Sequence, residues 1–201
     1  DCLDDTTYAD QKELFDNSAM YKSTLEDLSH PIWQEIKEKI AAFSPDIVGI
    51  AMLTANYAAA RNIAKITKAI NENTKTVVGG AHPTLDPEGT MTVDEFDYAV
   101  RGEGEFTLLE LANGYEEEQI KGLSFRRDGI SIHNESRPFI KDLDSLPFPE
   151  RNSFLNETEH LELGYMITGR GCPFACAYCA GPQLGQRTLR LRSVSNVMAE
   201  L

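Results

Sequence analysis

The residues best placed to do chemistry are three cysteines near the C-terminal end, in the stretch Gly169-Arg-Gly-Cys-Pro-Phe-Ala-Cys-Ala-Tyr-Cys-Ala180. Cys172, Cys176 and Cys179 follow the spacing C-x3-C-x2-C, so they can converge on one soft metal centre without help from a second segment. Thiolates select zinc, copper(I) or iron–sulfur clusters. Structural zinc takes four protein ligands and favours paired C-x2-C spacings. Iron–sulfur clusters are held by closely spaced thiolates, one per iron, so three thiolates on a four-iron cluster leave one iron open to a further ligand.

The elements that must position these thiols are read from periodicity. Leu163-Gly-Tyr-Met-Ile-Thr168 reads as a strand that delivers the cysteine loop from its C-terminal end. Ser193 to Leu201 reads as a helix with Val194, Val197 and Leu201 on one face. Further upstream, Pro31 opens a helix carrying Ile32, Trp33, Ile36 and Ile40, and Ser44-Pro45 closes it. Asp46-Ile-Val-Gly-Ile-Ala-Met-Leu53 is a continuous apolar run, expected as a strand buried on both faces of a parallel sheet. Thr54 is placed to cap the next helix, which runs to about Asn71 with Ala59, Ile63, Ile66 and Ile70 turned inward. Thr76-Val-Val-Gly-Gly80 and Asp97-Tyr-Ala-Val-Arg101 read as short strands, with a brief helix over 86–93 between them. Gly102-Glu-Gly-Glu105 opens a helix with Phe106, Leu108, Leu109 and Leu111. Alternating strands and helices predict a doubly wound, mostly parallel, Rossmann-like α/β sheet.

After the sheet, Asp128-Gly129 between Leu123–Arg127 and Ile130–His133 predicts an antiparallel hairpin. Residues 134–160, with Pro138, Pro147 and Pro149, read as connecting chain, which divides the protein into 1–133, 134–160 and 161–201. Residues 1–30 are weakly patterned and read as a loop with a short helix. Ligands of open α/β sheets sit at the carboxyl ends of the strands. Those ends are the turns at Leu53-Thr54, Gly79-Gly80 and Gly102-Glu103-Gly104.

Bulk composition narrows the class. A net charge of -13 over 201 residues argues against a nucleic-acid surface or an anionic membrane as partner, and its simplest meaning is solubility. Three of the 4 cysteines belong to the loop and Cys2 stands alone, which fits a reducing, cytoplasmic compartment without a disulfide framework. No apolar run reaches the length of a membrane span. His30, His133 and His160 show no partners at catalytic spacing and read as surface residues. His82 reads as solvated or structurally hydrogen-bonded. No residue stands out as a general acid or base.

The cysteine spacing, Tyr178 before the last cysteine and the Gly-Arg-Gly-Cys-Pro lead-in resemble the cluster loop of the radical S-adenosylmethionine (SAM) superfamily. The resemblance implies that Cys172, Cys176 and Cys179 hold a [4Fe–4S] cluster whose open iron chelates SAM. Reductive cleavage there yields a 5′-deoxyadenosyl radical, and Tyr178 packs near the adenine. The SAM domain would be the start of a (β/α) barrel, and the electron would come from a donor such as a flavodoxin or ferredoxin. Pro45–Ile50, Val77–Thr84 and Val100–Glu105, followed by Leu143-Asp-Ser-Leu-Pro-Phe-Pro149, resemble the cobalamin-binding domain and connector of cobalamin-dependent members. This implies Thr54, Gly79, Gly80, Gly102 and Gly104 as cobalamin contacts, although glycines also serve tight turns with no ligand present. The Asp-x-His-x-x-Gly fingerprint is absent, which implies cobalamin bound without a protein histidine on cobalt.

Three functions follow as expectations. The first is a radical SAM enzyme acting on a small molecule, with cobalamin-assisted methyl transfer or oxidative cyclisation. The second keeps the radical chemistry on a sheet domain that binds no cobalamin. The third is a non-enzymatic iron–sulfur or zinc protein using the same thiols. The chain begins at Asp1 and ends at Leu201 within a helix, so it reads as a piece of a longer protein, inactive and poorly stable alone for want of a central strand and most of the barrel.

Overall fold

The computed structural model describes residues 11–150, 166–185 and 187–201. The chain forms two compact units, residues 1–137 and 138–201. Cys2 and His160 lie outside the described residues.

The first unit opens with helices α1 (Gln11–Glu26) and α2 (Pro31–Phe43). Strand β1 (Ile47–Ala51) leads through a single 3-10 turn to α3 (Tyr57–Ile70), then β2 (Lys75–Gly79), short helices α4 (Ala81–Leu85) and α5 (Pro87–Met91), and β3 (Tyr98–Val100). Helix α6 (Glu105–Ala112) and the hairpin β4 (Leu123–Arg127) and β5 (Ile130–His133) complete it. The five strands form one sheet in the order β1-β2-β3-β4-β5. The first three are parallel, with Gly49 opposite Val77 and Val78 opposite Ala99, and β3-β4-β5 are antiparallel. The expected hairpin forms at Asp128 and Gly129, both at positive φ (51° and 76°), as a tight two-residue turn requires.

Period-two alternation builds a core on each sheet face. Val78 and Ala99 join Ile50, Met52, Ala60, Ala64, Met91, Val93 and Phe96 on one side. Val77, Tyr98 and Val100 join Ile120, Leu123 and Phe125 on the other. The ends of the strands away from the glycine turns are locked by a polar network. Lys68 Nζ donates to Asp97 Oδ2 (2.5 Å) and to the carbonyls of Thr74 (2.9 Å) and Glu72 (3.3 Å). The same carboxylate oxygen accepts the N–H of Thr76 (2.7 Å), a fully buried residue. Asp97→Ala strands that amide and the lysine charge together, so it is expected to destabilise the protein by about 2–3 kcal/mol. Chemical denaturation, read as a midpoint shift at unchanged slope, checks this.

Several sequence expectations are corrected. Residues 11–26 are a full helix rather than loop; α1 has no apolar stripe to betray it and is tethered through its backbone, the Trp33 indole N–H donating to Thr24 O (2.7 Å) and Asn62 Nδ2 to Leu25 O (2.8 Å). Strand β1 is not buried on both faces: only Ile50 is buried, because β1 pairs with β2 alone among the described residues. In α2 only Trp33 is buried. The inward face of α3 is Ala60, Ala64, Ile66 and Thr67, rotated from the expected stripe, with Ile63 packed at its margin. Helix α6 buries Thr107 rather than its apolar residues, since Thr107 Oγ1 donates to Lys121 O (2.8 Å) and accepts from the Arg137 guanidinium (2.9 Å). The brief helix expected over 86–93 forms as α5, capped by Asp86, whose carboxylate accepts Gly89 N–H (2.9 Å), and α4 before it was not expected.

The second unit holds β6 (Gly169–Arg170), α7 (Gly181–Gly185), β7 (Arg190–Leu191) and α8 (Val194–Glu200). Of the expected strand at 163–168, the first three residues lie outside the described ones and Met166–Thr168 are irregular; the strand is β6, paired antiparallel with β7. Residues 138–150, read from sequence as connecting chain, belong to this unit. The helix expected over 193–201 forms as α8, and Ser193 caps it, its Oγ accepting Asn196 N–H (3.1 Å). Among the described residues no helix is long and apolar enough to cross a membrane.

Candidate functional site

The carboxyl ends of β1, β2 and β3 bring Thr54, Gly79, Gly80, Gly102 and Gly104 to one edge of the sheet. Thr54 does not cap α3 as expected: Asn56 Oδ1 takes the Leu53 N–H (2.7 Å), and the Thr54 hydroxyl instead shares a hydrogen bond with His82 Nδ1 (3.0 Å). His82 is further fixed by its N–H donating to Met52 O (3.2 Å) and by its ring lying 5.2 Å from that of Tyr57. The structural hydrogen bond expected for His82 is therefore present, and its partner is the site threonine.

Gly80 has φ +113°, and a Cβ there would stand 2.9 Å from Met52 O, so a side chain is excluded by backbone on the β1 side. Gly102 also has positive φ (+74°), yet a Cβ would meet nothing within 4 Å, leaving open space beyond β3. Gly79 is free of close contacts, and Gly104 approaches Val100 Cγ1. One residue unmarked in the sequence joins these turns. Thr84 Oγ1 donates to Gly80 O (2.7 Å) and accepts Gly102 N–H (2.9 Å), tying the end of β2 to that of β3. Its only sequence signal was a hydroxyl four residues after the glycine pair, a spacing at which threonine bonds back to a helix carbonyl.

The edge that results is a polar rim of an exposed hydroxyl, exposed peptide groups and glycine-lined space. That is the chemistry an amide- and phosphate-bearing nucleotide tail of cobalamin needs, so the residues present fit such a group. The strand order does not reverse within the described residues, so the site is defined by the strand ends and not by a switch in topology.

His30 and His133 are both engaged. His30 Nδ1 accepts Ile32 N–H (3.3 Å) and caps α2. His133 is not a free surface residue, since its Nδ1 lies 2.9 Å from Ser124 Oγ and its Nε2 3.4 Å from Glu88 Oε1. This serine–histidine–acid line is not a nucleophilic device, because Ser124 is fully buried.

In the second unit the cysteine loop leaves β6 and runs into α7. The Gly-Arg-Gly lead-in has a steric reason. A Cβ on Gly169 would meet Leu191 Cδ2 at 2.7 Å, and one on Gly171 (φ +91°) would lie 1.8 Å from Thr188 O. Both glycines let the loop's base press against the chain returning towards β7. Cys172 is half-buried, and Cys176 and Cys179 are exposed. Cys179 N–H donates to Cys176 O (3.1 Å), and Gly181 N–H donates to Cys179 Sγ (3.2 Å). The donor set fits a thiolate-held cluster, and an N–H bond to sulfur is one of the features that tunes such clusters. Among the described residues no three His, Cys, Asp or Glu side chains are gathered as a ligand group, so the thiols share a loop without converging. Tyr178 is 93% exposed.

Comparison with known proteins places these features. The model of the B12 binding domain matches residues 13–112. The chain is 39% identical over 185 residues to an uncharacterized methyltransferase of Pyrococcus horikoshii, a match covering 88% of this chain and 39% of that protein. It is 28% identical over 180 residues to the anaerobic magnesium-protoporphyrin IX monomethyl ester cyclase of Rubrivivax gelatinosus, covering 83% of this chain and 32% of the cyclase. Residues 13–112 thus belong to the B12-binding domain family. A similar fold is seen in the radical S-adenosylmethionine methyltransferase TsrM of Kitasatospora setae, solved with cobalamin and a [4Fe-4S] cluster bound, which superposes with a TM-score of 0.67 at 19% identity over 86% of this chain and 38% of that one. The chain thus spans well under half the length of these relatives.

Proposed function

We propose that the protein acts as a cobalamin-dependent radical SAM enzyme on a small molecule, by methyl transfer or oxidative cyclisation. The observation that carries this reading is the presence, on one chain, of a B12-binding domain with an open glycine-lined strand edge and a three-cysteine loop in a separate unit. Cys172, Cys176 and Cys179 would hold a [4Fe–4S] cluster, whose open iron with SAM supplies a 5′-deoxyadenosyl radical. Tyr178 is exposed and so available to lie against the adenine. Thr54 and the peptide groups of Gly79, Gly80, Gly102 and Gly104 would line the cobalamin tail, with His82 held by Thr54 and not directed to cobalt. The chain's part is to orient both cofactors and exclude water. A flavodoxin- or ferredoxin-like donor would supply the electron, in the cytoplasm.

The test is anaerobic incubation of the full-length, reconstituted protein with SAM and a low-potential reductant. The reading expects 5′-deoxyadenosine or S-adenosylhomocysteine to form. A protein loaded with cluster that leaves SAM intact would oppose it.

A further inference from the structure

The segment Phe139–Phe148 is attached at three points to residues 190–193, which follow the cysteine loop. Asp144 Oδ1 and Oδ2 accept the Ser193 N–H at 3.0 and 3.3 Å, across 49 residues of chain. Arg190 Nη1 donates to Ile140 O (2.7 Å), and its guanidinium lies 4.8 Å from the Phe139 ring centre. The Arg192 guanidinium lies 5.6 Å from the ring centre of Phe148. The residues so held are the ones that grip the loop's entry. Arg192 N–H donates to Thr168 O (3.0 Å), Arg192 Nη1 donates to Ile167 O (3.0 Å), and Arg190 pairs with Arg170. Next along, Gly171 presses on Thr188, and Gly185 stands against Gly171 and Cys172.

We propose that Asp144 is a positioning residue for the cluster: it straps residues 190–193 in place and thereby fixes the base from which Cys172, Cys176 and Cys179 reach a shared centre. This rests on the cluster reading above. The carboxylate suits the task because it accepts from a backbone N–H at the start of α8, where the helix dipole also favours negative charge. Ser193's hydroxyl and N–H hold its carboxyl below the usual carboxylate range, so the strap is charged at neutral pH. A depressed folded value means the contribution is present above the ordinary carboxylate range and is lost as pH falls through the lowered one.

The experiment compares wild-type, Asp144→Ala and Asp144→Asn full-length proteins, reconstituted anaerobically with iron, sulfide and hydroxocobalamin. Release of iron to a chelator and retention of corrinoid bands are followed together. Asp144→Ala is expected to release iron roughly five- to tenfold faster, the size of one lost cap, with corrinoid retained. Asp144→Asn keeps an amide oxygen for the Ser193 N–H and is expected to recover most of the wild-type rate. Iron release from Asp144→Ala at the wild-type rate overturns the strap, as does equal loss of corrinoid and iron in both variants. Wild-type protein that takes up no iron sinks the cluster reading itself, and the strap with it.

Discussion

Serine at any one of Cys172, Cys176 or Cys179 is expected to abolish cluster assembly and SAM cleavage while leaving the sheet domain folded. The three are the free thiols of the second unit's described residues, and each would hold a different iron. Two thiolates cannot retain a four-iron cluster, and serine's hydroxyl is neither as acidic nor as soft as a thiol. The loss should therefore be complete and not graded, at least a hundredfold in cleavage rate, or about 2.7 kcal/mol or more in barrier. The two cores lie in the first unit, tens of residues away in sequence, so thermal unfolding should stay unchanged. Iron content and the cluster absorbance of each purified variant are the measurements. A variant that keeps full iron shows that its cysteine is not a ligand.

Gly80→Ala has the next largest expected effect, and it acts on the other cofactor. Gly80 sits at φ +113° and ψ −160°, a region open essentially to glycine alone, and holding alanine there costs about 1–3 kcal/mol. The new methyl would also stand 2.9 Å from Met52 O, which is backbone at the end of β1 and cannot swing aside. Relief requires β1 and β2 to part where the candidate cobalamin edge lies. Gly80 O is in turn the acceptor of the Thr84 hydroxyl that holds Gly102, so the disturbance passes to the end of β3. A melting-temperature drop and a fall in corrinoid affinity of more than about tenfold are expected together. Gly102→Ala is the control: its positive φ is strained too, but a methyl meets open space, so its stability loss should be smaller.

The parts legible in sequence were those governed by local rules. The Asp128-Gly129 hairpin and the Pro31 helix start each rest on a local conformational preference, and each forms where expected. The cysteine spacing and the glycine pairs announced the two candidate sites in the same way. What the sequence hid depends on partners distant along the chain. Helix α1 has no apolar stripe, and its carbonyls of Thr24 and Leu25 are held by Trp33 and Asn62. Thr54 looked like a helix cap because its role is set by His82, 28 residues away. Thr84 bonds to Gly102 across 18 residues and Asp144 to Ser193 across 49, and no periodicity encodes such ties. The apolar residues of α6 misled in the opposite direction, since Thr107's hydrogen bonds decide which face turns inward.

The most direct test of the account is an ultraviolet–visible spectrum of the full-length protein, purified without oxygen, reconstituted with iron, sulfide and hydroxocobalamin, and freed of unbound cofactor. The account predicts a broad charge-transfer shoulder that bleaches with dithionite, together with retained corrinoid bands. A cluster shoulder without corrinoid would contradict the role assigned to Thr54 and the glycine edge. Neither signal, with zinc found by metal analysis, would contradict the radical SAM reading as a whole.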